Sequence, residues 1–439
     1  MSGTSVQPFS DLALVGGRLA NTDEAMTLII RKGRIANLAS PDAALATEQV
    51  LDISGCLVSP GLVDLCCNLR EPGNGQKGNI ASESRAAAHG GFTTVCASPE
   101  TSPVNDSKAV TNLILDVAAR SSVIRVLPVG AITRGLEGEL LSDMAGLSEA
   151  GCVALSNGHQ SVANARVLRR CMAYARTFGL TVMFRPENRA LAADGYAHDG
   201  LVASRLGLPG IPEVAETTAV MEMLLLAEET GVRLHLSQIS CARSVEMLAL
   251  ARHRGIAVTA DVAMHQLLFT EQALSGFDSR FHVRPPLRSE ADRLALLAGV
   301  RDGTIHAITS QHQPHDSAAK HAPLPATEPG LSTIETTLAM GLLLVQRGEL
   351  SRQQLLRALT EGPASVIDRR AIIEPGAPAD LCVFDATATW KLSAGSLFSA
   401  GLHYPLLPQP LPGVVRLTLC DGRISWSSEP EQPPLRGKK

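Results

Sequence analysis

Apolar residues are distributed along this chain in two textures. Between residues 10 and 58 they form short runs broken by turn residues: Leu12-Ala13-Leu14-Val15 before Gly16-Gly17, Leu28-Ile29-Ile30 before Lys32-Gly33, and Val50-Leu51-Asp52-Ile53 before Ser54-Gly55. Such runs predict strands closed by tight turns. From residue 60 to about 365, short apolar pieces alternate with longer stretches of helical period. The strand-like pieces are Leu62–Leu69, Thr93–Ala97, Arg125–Gly130, Cys152–Ser156, Thr181–Arg185, Arg233–Ile239, Ala257–Val262 and Ile305–Ser310. Between them helices are predicted, for example over Val162–Ala175, Val214–Glu229, Ser244–Arg254 and Glu290–Val300. After Pro363 the strand-and-turn texture returns, in Ile372–Asp385 and Val414–Ile424.

Eight strands alternating with helices over roughly 300 residues suit an α/β chain folded as a (β/α)8 TIM barrel better than an open doubly wound sheet. The expected organisation is a barrel over residues 60–365. Residues 1–59 and 366–428 would meet in a small β-sandwich, and residues 429–439, rich in proline, form a loose tail.

Composition narrows the function. The 439 residues are 45% hydrophobic and 19% charged, as in an ordinary globular protein, and can bury a large core. A formal net charge of −4 argues against nucleic-acid binding, and the clearest basic cluster is the terminal Arg436-Gly437-Lys438-Lys439. No GxGxxG or Walker-type loop is present to bind a nucleotide. The start, Met1-Ser2-Gly3-Thr4-Ser5, lacks the charged and apolar regions of a signal peptide, and apolar runs such as Met223 to Ala227 are too short to cross a membrane. Nine cysteines without CxxC spacing are expected as free thiols in a reducing cytoplasm.

The candidate chemistry starts at Ser59-Pro60-Gly61-Leu62-Val63-Asp64-Leu65-Cys66-Cys67-Asn68-Leu69-Arg70-Glu71-Pro72-Gly73. This frame resembles the first barrel strand of cyclic amidohydrolases of the metal-dependent hydrolase type, in which Pro-Gly-hydrophobic-hydrophobic-Asp introduces a His-x-His metal pair. Residues two apart on a strand project to one side, so such a pair grips one metal. Here the two places hold Cys66 and Asn68.

Further frames make the resemblance specific for dihydroorotases: Gly90-Gly91-Phe92-Thr93-Thr94-Val95, Pro285-Pro286-Leu287-Arg288, His312-Gln313-Pro314-His315 and Ile373–Asp385. The family holds zinc at the C-terminal mouth of the barrel with histidines and carboxylates. The family's Phe-Ser-Asp-Asp-Gly reads Leu155-Ser156-Asn157-Gly158 here, and the metal histidine of strand five becomes Arg185 in Phe184-Arg185-Pro186-Glu187-Asn188. His-x-x-His-x-Ser reads His235-Leu236-Ser237-Gln238-Ile239-Ser240, and Thr-Asp-His-x-Pro-His reads Ser310-Gln311-His312-Gln313-Pro314-His315. The aspartate replaced by Gln311 is, in the family, both ligand and general base.

Cys66, Asn68, Asn157, Arg185, Gln238 and Gln311 are therefore degenerate metal and base positions, with Cys66 the only expected anion among them. Amides are weak zinc donors, and a guanidinium a few Å from a divalent ion is repelled by about several kcal/mol even at an effective dielectric near 20. A carbamylated lysine cannot substitute, because no lysine occurs between Lys108 and Lys320. No zinc or other cofactor is expected, and without an acidified water or a base no ring opening. Arg185 is expected to pair with Glu187 or Glu100 in place of the lost cation.

Other residues have plainer readings. Neighbouring Cys66 and Cys67 face opposite sides of a strand and are expected to be inert thiols. His312 and His315, with His265, could seed a new metal site, but are expected to be pocket residues that hydrogen-bond. His235 is expected on the inner strand face, bonded to backbone. Arg70 and His315 match family positions that grip substrate. Against this, the family's substrate asparagine is Glu100, in Ser98-Pro99-Glu100-Thr101, and its asparagine before Pro-Pro is Arg284. The Met221–Leu226 segment with Met223 reads as the core face of a barrel helix rather than a docking groove.

The chain is similar to the non-catalytic dihydroorotase-like chains that accompany aspartate carbamoyltransferase in some bacteria. That resemblance implies a pseudoenzyme that partners the transferase catalytic chain in a hetero-dodecamer of pyrimidine biosynthesis, with homodimer contacts also conceivable. Two other classes stay open: an active cyclic-amide hydrolase using a rearranged site around Cys66, His312 and His315, and a module that senses a pyrimidine intermediate.

Overall fold

The computed structural model describes residues 11–41, 47, 49–404 and 410–428. The expectations for the first five residues and for the 429–439 tail lie outside these. Eight parallel strands follow one another around a barrel: β1 (Leu62–Cys67), β2 (Phe92–Ala97), β3 (Arg125–Ala131), β4 (Ala154–Ser156), β5 (Thr181–Phe184), β6 (Leu234–Leu236), β7 (Val258–Ala263) and β8 (Ala307–Thr309). All eight predicted pieces are present. Several are shorter than predicted at their C-terminal ends, where the chain leaves the ladder to form the mouth.

Both faces of these strands are covered, which is why they read as near-continuous apolar runs. All six residues of β2 are buried, and five of the six in β1. The ladder is continuous from β1 to β8, and the seam between β8 and β1 is closed differently. There the Asp64 carboxylate accepts the Ser310 amide at 3.0 Å and the Ser310 hydroxyl, and Asn68 donates its backbone N–H to His312 O at 2.9 Å. Asp64 is fully buried; burial, only partly offset by the Ser310 hydrogen bonds, pushes its carboxyl up to about 6.

Helices cover the barrel where the sequence marks their ends. The Ile80–His89 helix starts at an Asn79–Ser82 capping box, and Glu290–Asp302 starts at a Ser289–Asp292 box and stops at Gly303, φ 82°. Asn164 accepts the amides of Arg166 and Val167, so the Ala165–Thr177 helix begins three residues later than predicted. Gly91, φ 88°, turns the chain into β2 where a side chain would meet the Cys382 sulfur at 2.5 Å.

Both chain ends contribute strands to a second unit. Leu57–Pro60 pairs antiparallel with Leu381–Lys391, joining Leu12–Leu19, Ala25–Arg31 and Arg34–Ala39 on one side to Pro410–Cys420 and Arg423–Ser427 on the other. Gln49–Asp52 pairs alongside Leu12–Leu19. The strands expected as a sandwich are thus hydrogen-bonded into one eight-stranded sheet, because Leu12–Leu19 and Leu57–Pro60 bridge its halves. The halves share one core, in which Leu14, Leu28 and Ile30 meet Leu381, Val383 and Leu419. Among the described residues no helix is long and apolar enough to cross a membrane.

Candidate functional site

The C-terminal ends of the barrel strands carry the candidate chemistry. Cys66 near the end of β1, Glu100 after β2, His159 after β4, Arg185 after β5 and Gln238 after β6 line one cavity of about 50 Å³. The Gln238 amide donates to the Cys66 sulfur at 2.8 Å, and its carbonyl accepts from the Gln311 amide at 2.8 Å. Gln311 also donates to the Arg284 carbonyl at 2.8 Å. Gln238 and Gln311 hold left-handed backbone at φ 56° and 51°, and Arg70 at φ 62°. Such conformations cost a non-glycine residue about 1–3 kcal/mol, sustained here by the surrounding bonds. One of these is the Gln238 N–H to Asp261 at 2.8 Å.

Burial, and after it the negative field of Asp64 and Asp261, pushes the Cys66 thiol well above its ordinary value. Arg185 is 8% exposed; burial lowers its pKa, with Glu187 opposing. Its terminal nitrogens donate to His159 O at 2.9 Å and Arg284 O at 3.3 Å, while its Nε has no partner. Glu187 lies 3.8 Å from Arg185 and takes two hydrogen bonds from Arg284, at 2.7 and 2.8 Å. Glu100 accepts the His159 N–H at 2.9 Å and pairs with its ring. Burial pushes Glu100 up, but the charge and hydrogen bonds of His159, with Arg185, outweigh it and hold the carboxyl at about 2.

A wider vestibule of about 420 Å³ opens beyond, lined by Arg70, Arg185, Glu187, Arg284, His315 and Glu328 among others. Arg70 donates to Pro314 O at 3.0 Å and lies 3.4 Å from His315 Nε2. Burial and the neighbouring Arg70 lower His315 to about 4.

A dihydro-orotase-like family model matches residues 55–244. The chain is 46% identical over 96% of its length, and 97% of the relative's, to a dihydroorotase-like protein of Pseudomonas aeruginosa. It is 40% identical to a protein named dihydroorotase from Syntrophotalea carbinolica, covering 92% of this chain and 95% of that one. The chain belongs to the dihydroorotase-like family. Its fold is also that of the L-hydantoinase (dihydropyrimidinase) from Arthrobacter aurescens, at TM-score 0.86 and 21% identity over 97% of this chain and 98% of that one.

Within this dihydroorotase-like frame, four of the six degenerate positions come together: Cys66, Arg185, Gln238 and Gln311. Asn68 and Asn157 do not join them. The Asn68 carbonyl accepts the Arg70 N–H at 3.1 Å. Asn157, wholly buried, accepts from Thr133 at 2.6 Å and donates to Leu136 O and Gln160 O, tying down loops behind the mouth.

Other expectations need correction. Beyond the six degenerate positions, the Glu100 carboxylate lines the same cavity and Asp261 accepts the Gln238 N–H. Arg185 does pair with one of its two expected partners, Glu187, while Glu100 is engaged by His159. His235 bonds side chains rather than backbone, Thr259 and Asp261 at 2.8 Å each. His312 is sealed in the core, bonded to Glu83 at 2.7 Å and to the Thr333 N–H at 3.1 Å, and His265 is buried with neither ring nitrogen bonded. Of His265, His312 and His315, His315 alone reaches the vestibule.

Among the described residues, groups of three metal-ligand side chains occur at His198, Glu213 and Asp292 and at Asp380, Cys420 and Asp421; neither group includes one of the six degenerate positions. His159 was missed in the sequence although it directly follows the strand-four frame. Asp261 was missed because it lies in a strand read only for its apolar residues.

Proposed function

We propose that this dihydroorotase-like chain is a non-catalytic, cytoplasmic subunit that holds the aspartate carbamoyltransferase catalytic chain in its active assembly, a hetero-dodecamer of pyrimidine biosynthesis. The observation that carries the non-catalytic half is the chain of hydrogen bonds from Gln311 through Gln238 to Cys66, with Arg185 on the same cavity.

Zinc is held by anionic or neutral lone pairs. Here the sulfur is turned to an amide donor and its thiolate is disfavoured, the amides are weak ligands, and a guanidinium stands beside them. The donor set does not fit the ion. Gln311 cannot take a proton, and Glu100, held at about 2, is too weak a base for proton abstraction at neutral pH. The assembly half rests on the likeness to chains that accompany the transferase. A rigid barrel can hold oligomers together through its outer surface whatever its mouth contains.

Metal analysis and a dihydroorotate assay on protein purified without added metal test the first half, with substoichiometric zinc and no turnover expected. Co-expression with the transferase chain of the same organism, followed by sizing, tests the second. A transferase that is fully active and unchanged in size without this chain would remove the assembly role.

One observation favours a different reading. Relatives 37–41% identical carry the name dihydroorotase, which suits an active hydrolase with a rearranged site. Against it, His312, one of the three residues such a site would use, is sealed in the core. Stoichiometric zinc together with turnover would install that reading. A pyrimidine-sensing module would instead show calorimetric binding of dihydroorotate or a pyrimidine nucleotide without turnover.

A further inference from the structure

The Val214–Thr230 helix is apolar on two sides. Inward it buries Ala219, Val220, Met223 and Leu224, as expected of a barrel helix. Outward, at spacings of four, three and four residues, it presents Val214, Thr218, Met221 and Leu225; the three large apolar side chains are 50%, 46% and 55% exposed. The expectation that the Met221–Leu226 segment is the core face of a barrel helix holds for Met223 and Leu224, whereas Met221 and Leu225 face outward. An apolar helix face is normally covered. This one is uncovered along a ridge.

Around the ridge arginines outnumber the acidic residues Glu222, Glu228, Glu229 and Glu246. On one side the Ala165–Thr177 helix packs against it and exposes Arg166, Arg169, Arg170 and Arg176, with no acidic residue in its sequence. On the other, the Ala242–His253 helix and its C-cap carry Arg243, Arg252 and Arg254 against the single Glu246, which pairs with Arg243, while Arg252 donates to the Gly303 carbonyl. Arg169 and Arg254 are drawn in by Glu229 and Glu228 at the ridge's C-terminal end. Arg166, Arg170 and Arg176 form no ion pair with a described residue.

We infer that this ridge docks a folded protein partner offering an apolar groove rimmed by aspartate and glutamate. The charges argue against a second copy of this chain. A two-fold axis that laid the ridges antiparallel would face each arginine-rich helix with itself. One that laid them parallel would face it with the other arginine-bearing flank. Either juxtaposes like charges, which costs affinity, whereas an acidic rim would complement them.

The inference assigns a surface to the subunit role proposed above and rests on that reading, so the partner tested is the transferase catalytic chain. The full-length chain is titrated with it by light scattering, alongside two variants at exposed positions, Met221→Glu with Leu225→Glu and Arg166→Glu with Arg170→Glu. Circular dichroism checks that each is folded. The first variant is expected to lose affinity by about thirtyfold or more, as for a central apolar anchor. The second is expected to bind more weakly and with reduced dependence on salt.

Wild-type binding that both variants retain would overturn the surface assignment while leaving the subunit role intact. Absence of wild-type binding would overturn both. A dimer of this chain alone that the Met221 and Leu225 changes dissociate would assign the ridge to self-association and overturn the inference.

Discussion

Gln238 points its side-chain amide at the Cys66 sulfur, 2.8 Å away, across the mouth of the barrel. Two strand ends that the dihydroorotase likeness led one to expect as former metal positions are here joined by a hydrogen bond. The bond is part of a short relay, since the Gln238 carbonyl is in turn bonded to Gln311. Removing the central residue should therefore release both neighbours.

Gln238→Ala is expected to destabilise the protein by about 1–3 kcal/mol, because Gln311 loses a buried acceptor and the thiol its donor. Urea unfolding measures this. Thiol reagents should react sluggishly with Cys66 in the native wild type at pH 8, since burial disfavours the thiolate. Rapid labelling of that residue in folded protein would contradict the environment described.

Glu100 is held at about 2 against an ordinary 4.5. A depressed carboxyl contributes stability that is complete above about pH 4.5 and lost as pH falls through 2. The full shift corresponds to ~3 kcal/mol, an order-of-magnitude figure. Glu100→Gln should lower stability at pH 6 and flatten the acid limb between pH 4.5 and 2. Parallel wild-type and variant curves over that range would refute the Glu100–His159 pairing.

Asp64 behaves oppositely. Its folded-state pKa of about 6 lies above the ordinary 3.8, so the protonated folded form is favoured, and this contribution fades as pH rises from about 4 through 6. Asp64→Ala leaves the Ser310 amide and hydroxyl at the barrel seam without their acceptor. A loss of about 2–4 kcal/mol at neutral pH is expected, together with a shallower decline of stability between pH 4 and 6.

Gly91→Ala should cost more than about 1 kcal/mol, because a Cβ there meets the Cys382 sulfur at 2.5 Å in a backbone with φ 88°. Gly179→Ala is a useful control. It shares a left-handed backbone, φ 66°, but has nothing within 4 Å, so any excess loss at Gly91 reports the clash between barrel and sheet.

Much of this protein was legible before its structure. Alternation of apolar and helical stretches located all eight barrel strands, because strands covered on both faces must be apolar throughout. The helical period over Glu290–Val300 placed the helix that the structure runs from Glu290 to Asp302, because such a period is local to the segment. The identities of Arg185, Gln238 and Gln311 already put a guanidinium and two amides at positions where the family likeness implies metal ligands, since donor strength belongs to the side chain itself.

What the sequence could not decide was who meets whom. Asn68 and Asn157 have the same chemistry as Gln238 and Gln311, yet backbone direction turns the first pair towards local loops and the second towards each other. His312 looked like a pocket residue until the fold sealed it against Glu83, 229 positions away in the chain. Asp64 gained its role at the seam only because the closing strand arrives beside the opening one. Side-chain chemistry and local pattern are properties of short segments, but burial, orientation and long-range pairing exist only once the barrel has closed.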